Sequence, residues 1–157
     1  MVKPVAAVGV AAESVVKPNP TFPDFLNDDV GKAEWRRLGD FFQLSQFGVK
    51  LETIFPGGRS SLRHWHNQSD EFVYVVSGEL TLIMDEGESP MPAGMCVGFK
   101  AGVQDGHHLI NRSTSPASFL VVGTRVEGDV ATYSDNDLQW VEVNGRYRPA
   151  RKDGTLY

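Results

Sequence analysis

The feature that most constrains the fold is a series of short segments in which apolar residues recur at every second position, each closed by a turn. Phe47 to Ile54 alternates and ends at Pro56-Gly57-Gly58. Glu71 to Val76 is a β-branched and aromatic run closed by Ser77-Gly78, and Glu79 to Met84 alternates again until Asp85-Glu86-Gly87. Met95 to Phe99 lies between Gly94 and Ala101-Gly102, while His107 to Asn111 and Ser118 to Val122 are joined by Arg112 to Pro116. Val141 to Val143 followed by Asn144-Gly145 predicts a last hairpin. A period of two belongs to strands, and no long amphipathic helix interrupts it. Sixteen Gly and nine Pro in 157 residues supply the turns. The prediction is an all-β antiparallel sandwich or barrel.

The length suits one domain with a full core. Pro4, Pro18, Pro20 and Pro23 make residues 1 to about 23 an extended arm, and Asp28 to Arg37 is expected to form a short helical turn. The resulting division is an N-terminal arm over 1–38, a barrel over 39–143 and a tail over 144–157 packed on or beside it. The apolar start, Met1 to Ala12, is broken by Gly9 and is not read as a signal peptide. With a net charge of -5 and no basic block, neither nucleic acid nor an anionic membrane surface is an expected partner. A single cysteine, Cys96, allows no internal disulfide and is read as a small buried hydrophobe on a strand. A cytoplasmic location is expected.

The chemistry concentrates in two places. His64 and His66 are two apart, so on a strand both imidazoles leave one face. Glu71 opens the next strand after a four-residue connection, so its carboxylate can point back at them if the strands form a hairpin. Two imidazoles and a carboxylate suit Fe(II), Mn, Ni, Zn or Cu. A lone His-x-His is a weak sign, because either ring can equally be a satisfied core residue or face solvent. The later His107-His108-Leu109-Ile110-Asn111 strengthens it, since three of the four histidines in the chain then fit one constellation.

Gly58 to Gly78 reads G-x5-H-x-H-x4-E-x6-G, and this resembles the first motif of the cupins. Their second motif, G-x5-P-x-G-x2-H-x3-N, is matched by Gly94, Gly102, His107 and Asn111 with two departures. Lys100 stands in the Pro position, and four residues instead of two separate Gly102 from His107. The tail Lys152-Asp153-Gly154-Thr155 is similar to that of a poorly characterised bacterial subgroup of small cupins. The resemblance implies a double-stranded β-helix, or jelly-roll barrel, holding one divalent transition metal on His64, His66, Glu71 and His107. The His-x3-Asn spacing selects His107 over the adjacent His108, and strand alternation agrees. The six-residue spacing to Gly78 selects Glu71 over Asp70.

Trp65 alternates away from the ligands and is expected to pack outside the barrel or in a subunit contact. Arg63 and Arg125 are read as solvated, with contact to an anionic substrate as the alternative if they lie at the barrel mouth. Cupins commonly form dimers, and the outer positions Phe72, Tyr74 and Val76 suit a homodimer contact. The function expected is that of a metal-dependent enzyme acting on a small polar molecule in the barrel mouth, by dioxygenase, isomerase or lyase chemistry, with Glu71 a possible base. The alternatives are a non-catalytic small-ligand or metal-sensing module and a barrel that has lost its metal.

Overall fold

In the computed structural model, which describes residues 3–14, 24 and 32–157, the alternating segments become twelve strands. They are β1 (Ala33–Arg37), β2 (Phe47–Ile54), β3 (His64–His66), β4 (Glu71–Ser77), β5 (Glu79–Met84) and β6 (Gly87–Pro92). β7 (Cys96–Phe99), β8 (His108–Ile110), β9 (Ala117–Thr124), β10 (Ala131–Tyr133), β11 (Gln139–Val143) and β12 (Arg146–Ala150) complete the set. Every strand pairing is antiparallel. The large sheet runs β1-β2-β9-β4-β7, with smaller sheets β12-β11-β10-β3 and β6-β5-β8. This is the antiparallel jelly roll expected.

The inward residues of the large sheet and of the β6-β5-β8 sheet meet in one core. Ile54, Val73, Val75, Phe119 and Val121 from the first pack with Leu80, Leu82, Met91 and Leu109 from the second. A second cluster, Ala131, Tyr133 and Leu138, lies under the β12-β11-β10-β3 sheet. Two glycines bracketing the His-x-His motif are there because nothing larger fits. A Cβ on Gly58 would stand 2.6 Å from the Lys32 carbonyl oxygen, and one on Gly78 2.7 Å from the Ala117 Cβ. Gly78 also has φ +74°, a conformation that L side chains rarely adopt.

Several local expectations change. Ala33–Arg37 is a strand, not part of a helical turn over Asp28–Arg37, of which residues 28–31 lie outside the described residues. Its backbone satisfies the open edge of β2, in register from Ala33 opposite Ile54 to Arg37 opposite Lys50. One helical turn follows instead at α1 (Leu38–Phe41). Of the expected arm, residues 1–2 and 15–23 lie outside the described residues, and Ala7–Gly9 forms a single 3-10 turn. β6 carries Pro90 and Pro92, which hid it in the sequence, and it is tolerated because it is the edge of its sheet. Cys96 is exposed, not buried, because it lies opposite Tyr74 and shares its outward face. The hairpin at Asn144-Gly145 forms as expected, with positive φ at both residues, 53° and 72°.

Candidate metal centre

His64 and His66 stand two apart on β3 and their rings lie 5.2 Å apart, centroid to centroid. Glu71 opens β4, and ligand atoms of His64, His66 and Glu71 all lie within 4.8 Å of one another, a group that could hold an ion. The expected hairpin does not form: β3 pairs with β10 and β4 with β7 and β9, so Glu71 reaches the two imidazoles from a different sheet. His107 comes from a third place in the chain. Its backbone forms an isolated antiparallel bridge with His64, N–H of each to O of the other at 3.2 and 3.0 Å. Directly opposed residues share a face, so the His107 ring lies 5.2 Å from that of His64 and its Nε2 is 3.4 Å from Glu71 Oε1. The two extra residues before His107 are therefore absorbed in the turn, not in the register. His108 points elsewhere, its Nδ1 3.0 Å from the Ser61 carbonyl oxygen.

The hydrogen bonds set the imidazole tautomers. His64 Nδ1 lies 3.0 Å from the Leu62 carbonyl oxygen, which can only accept, so Nδ1 carries the proton and Nε2 keeps its lone pair. His66 Nδ1 donates to Asp129 Oδ2 at 2.7 Å, leaving Nε2 3.9 Å from Glu71 Oε2. Asp129 is 4% exposed, and its Oδ1 accepts the Gln68 N–H at 2.7 Å. Burial alone would raise the Asp129 pKa, but the bonds from the Gln68 N–H and His66 outweigh it and hold the group below its ordinary value. A carboxylate behind a histidine in this way orients the ring and raises its basicity. No spacing rule pointed to Asp129, which follows β9 in an otherwise plain Glu127-Gly128-Asp129 turn.

Burial holds His64 neutral, lowering its pKa to about 4. Glu71 is also buried, which works to raise its pKa, but the close His107 ring and the imidazoles of His64 and His66 take it down to about 2. A neutral His64 beside an ionised Glu71 is the pair of protonation states that binds a divalent metal. His107 supplies the test of fit. The residue is 4% exposed, its ring stacks on Phe99, and both of its ring nitrogens are buried without a hydrogen-bond partner. Leaving such atoms unsatisfied costs about 1–3 kcal/mol each, a cost that a metal on Nε2 would offset. The donor set and this orphaned nitrogen fit a metal ion.

The histidines and Glu71 line a cavity of about 1370 Å³ together with Lys50, Glu52 and Arg125. A smaller cavity of about 210 Å³, with Trp65 in its wall, reaches His66, Glu71 and His107. Arg63 is not freely solvated: its side chain is 18% exposed and bonded to Asp85 and Asp135. Asn111, fully buried, donates to the Ile54 and Ser115 carbonyl oxygens and so fixes the turn after β8.

Comparison with known proteins agrees with this fold. The family model "Cupin domain" matches residues 50–123. A Silicibacter pomeroyi structure, described as a sugar phosphate isomerase from a cupin superfamily, is 40% identical over 99% of this chain and 96% of its own, with a TM-score of 0.88. The chain belongs to the cupin superfamily. An Acidithiobacillus ferrooxidans cupin neighbour, provisionally described as a sugar phosphate isomerase, is 31% identical over 85% of this chain and 84% of its own, with a TM-score of 0.74. A polyketide cyclase from Streptomyces resistomycificus, 23% identical over 79% of this cupin and 80% of its own chain at a TM-score of 0.62, shares the fold. No curated protein sequence matches closely enough to add to these. Among the described residues no helix is long and apolar enough to cross a membrane.

Proposed function

We propose that this cupin is a metal-dependent isomerase acting on a small phosphorylated sugar, with one divalent ion held by His64, His66, Glu71 and His107. The observation that carries the reading is the buried His107 ring, whose unpartnered Nε2 stands 3.4 Å from an ionised Glu71 in the wall of a large cavity. The 40% identity with a sugar phosphate isomerase over 99% of the chain supports the substrate class. A bound metal of this kind supplies Lewis-acid polarisation of a sugar oxygen. Moving a carbonyl to the neighbouring carbon also requires a proton to leave one carbon and return to the other. Glu71, ionised and at the cavity wall, is the carboxylate placed to accept it. Asp129 and the Leu62 carbonyl keep the His66 and His64 rings turned toward Glu71.

The metal is one of Fe, Mn, Ni, Zn or Cu. The chain is also proposed to form a homodimer through the outer face of β4, where Phe72, Tyr74 and Val76 are exposed. The test is elemental analysis of protein purified without a histidine tag. Proton NMR in deuterated buffer then follows a panel of three- to six-carbon aldose and ketose phosphates. Stoichiometric metal and solvent deuterium appearing at the carbon beside the carbonyl are expected. Metal-loaded protein that converts no member of the panel overturns the isomerase reading.

A further inference from the structure

The sheet face that carries Glu71 also carries a charged pair that the metal centre does not use. Lys50 and Glu52 of β2 lie opposite Val121 and Phe119 of β9, and Val121 lies in turn opposite Val73 of β4. Side chains alternate along a strand, so Lys50 and Glu52 share the face of the fully buried Ile54. Both line the large cavity with Glu71. Lys50 Nζ donates to Glu52 Oε1 at 2.8 Å, and Glu52 is 7% exposed. Burial disfavours an ammonium, but the adjacent Glu52 carboxylate outweighs that and raises the Lys50 pKa. The Lys50 side chain is 41% exposed, so the pair contributes little to stability. Inside a cavity it is a candidate for function.

The surroundings say which function. Along the interior face of β2 the neighbour of Lys50 is Gly48, which lies opposite Gly123, which lies opposite Glu71. The row across three strands is therefore Gly48–Gly123–Glu71, a strip with no side chain until the carboxylate. Arg125 overhangs its far end: a Cβ on Gly48 would stand 3.7 Å from Arg125 Nε. Arg125 Nη2 donates to Asp40. An ammonium has three N–H donors and a guanidinium five, so Glu52 and Asp40 fix these two cations and leave donors for a ligand. The distance from Gly48 to Glu71 is two strand spacings, about 10 Å, the reach of a short phosphosugar.

We propose that the bare strip of Gly48 and Gly123, flanked by Lys50 and Arg125, seats the phosphate group of the substrate, whose other end reaches His64, His66 and Glu71. Arginine meets a phosphate through paired donors and lysine as a point charge, so both contribute to one seat. Glu52 and Asp40 are positioning residues, each holding one cation. The inference rests on the isomerase reading for its substrate class and adds the residues that recognise the anionic end.

Calorimetric titration of the metal-loaded protein with sugar phosphates, the matching free sugars and the matching sugar acids tests it. At least one phosphosugar is expected to bind about tenfold or more tighter than its free sugar, the effect of one hydrogen bond to a charged group. Lys50→Met is expected to weaken phosphosugar binding about ten- to hundredfold and leave free-sugar binding unchanged, with Lys50→Arg recovering part of the loss. Gly48→Ala sets a methyl at ordinary contact distance from Arg125. The variant therefore keeps the fold, loses phosphosugar affinity in the same way, and carries the test if Lys50→Met does not fold. Equal binding of phosphosugar and free sugar, preference for the sugar acid, or unchanged affinity in Gly48→Ala and folded Lys50→Met overturns the seat. The two readings fail separately. Phosphosugars bound through Lys50 but not converted sink the isomerase, whereas conversion with a KM indifferent to both variants sinks the seat.

Discussion

Replacing Asp129 by Asn tests whether the metal centre depends on a residue that touches no ligand position. In the parent, Asp129 Oδ2 accepts the His66 Nδ1–H and Oδ1 accepts the Gln68 N–H, each at 2.7 Å. An asparagine has the same shape but only one accepting oxygen. If that oxygen keeps the Gln68 N–H, the NH2 group faces His66 Nδ1, which must then accept. The imidazole proton moves to Nε2 and points at Glu71, where it blocks a metal. Loss of such a supporting carboxylate lowers metal affinity about ten- to hundredfold, equivalent to about 1.4 to 2.7 kcal/mol. Equilibrium competition against a chromophoric chelator at neutral pH measures it, with thermal melting of the metal-free proteins as the check on folding. Ser61→Ala is the control. The Ser61 hydroxyl also approaches His64 Nδ1, at 3.1 Å, but the Leu62 carbonyl remains as acceptor, so affinity is expected to stay close to the parent's. An Asp129→Asn protein that is folded and binds metal as tightly as the parent refutes the argument.

Three further outcomes follow from the geometry. His107→Leu removes both unsatisfied ring nitrogens, so it is expected to abolish metal binding and yet raise metal-free stability by about 1 kcal/mol or more in urea unfolding. His108→Ala should leave metal content unchanged, and a loss of metal there but not in His107→Leu would reverse the ligand assignment. Without metal, stability should be level above pH 6.5 and fall between pH 6.5 and about 4, because the unfolded chain protonates His64 there and the folded one does not. The drop is on the order of 3 kcal/mol, and a profile as steep in His64→Gln as in the parent would remove His64 as its source. Tyr74→Glu, on the exposed outer face of β4, should convert a dimer to monomer in light scattering, and a parent monomeric at all concentrations removes that proposal.

Much of this was legible in the chain because strands repeat every two residues and turns need glycine, both local properties. The placing of His64 and His66 on one face was legible for the same reason, but their meeting with Glu71 was decided by the tertiary structure, because β3 and β4 lie in different sheets. Gly58 and Gly78 mark the ends of the segment that holds all three because backbone and an alanine methyl crowd them. His107 needed the tertiary structure, since only the backbone bridge to His64 shows that the expanded turn leaves the register intact. Asp129 reaches His66 because β10 pairs with β3, a contact across more than sixty positions that no local pattern encodes. Lys50 and Glu52 were hidden by their own polarity. Charged residues alternating with Val49 and Leu51 ordinarily mark the solvent side of a strand. Here they share the face of buried Ile54 because the two sheets enclose a cavity there instead of closing on a packed core, a fact decided by how distant strands meet.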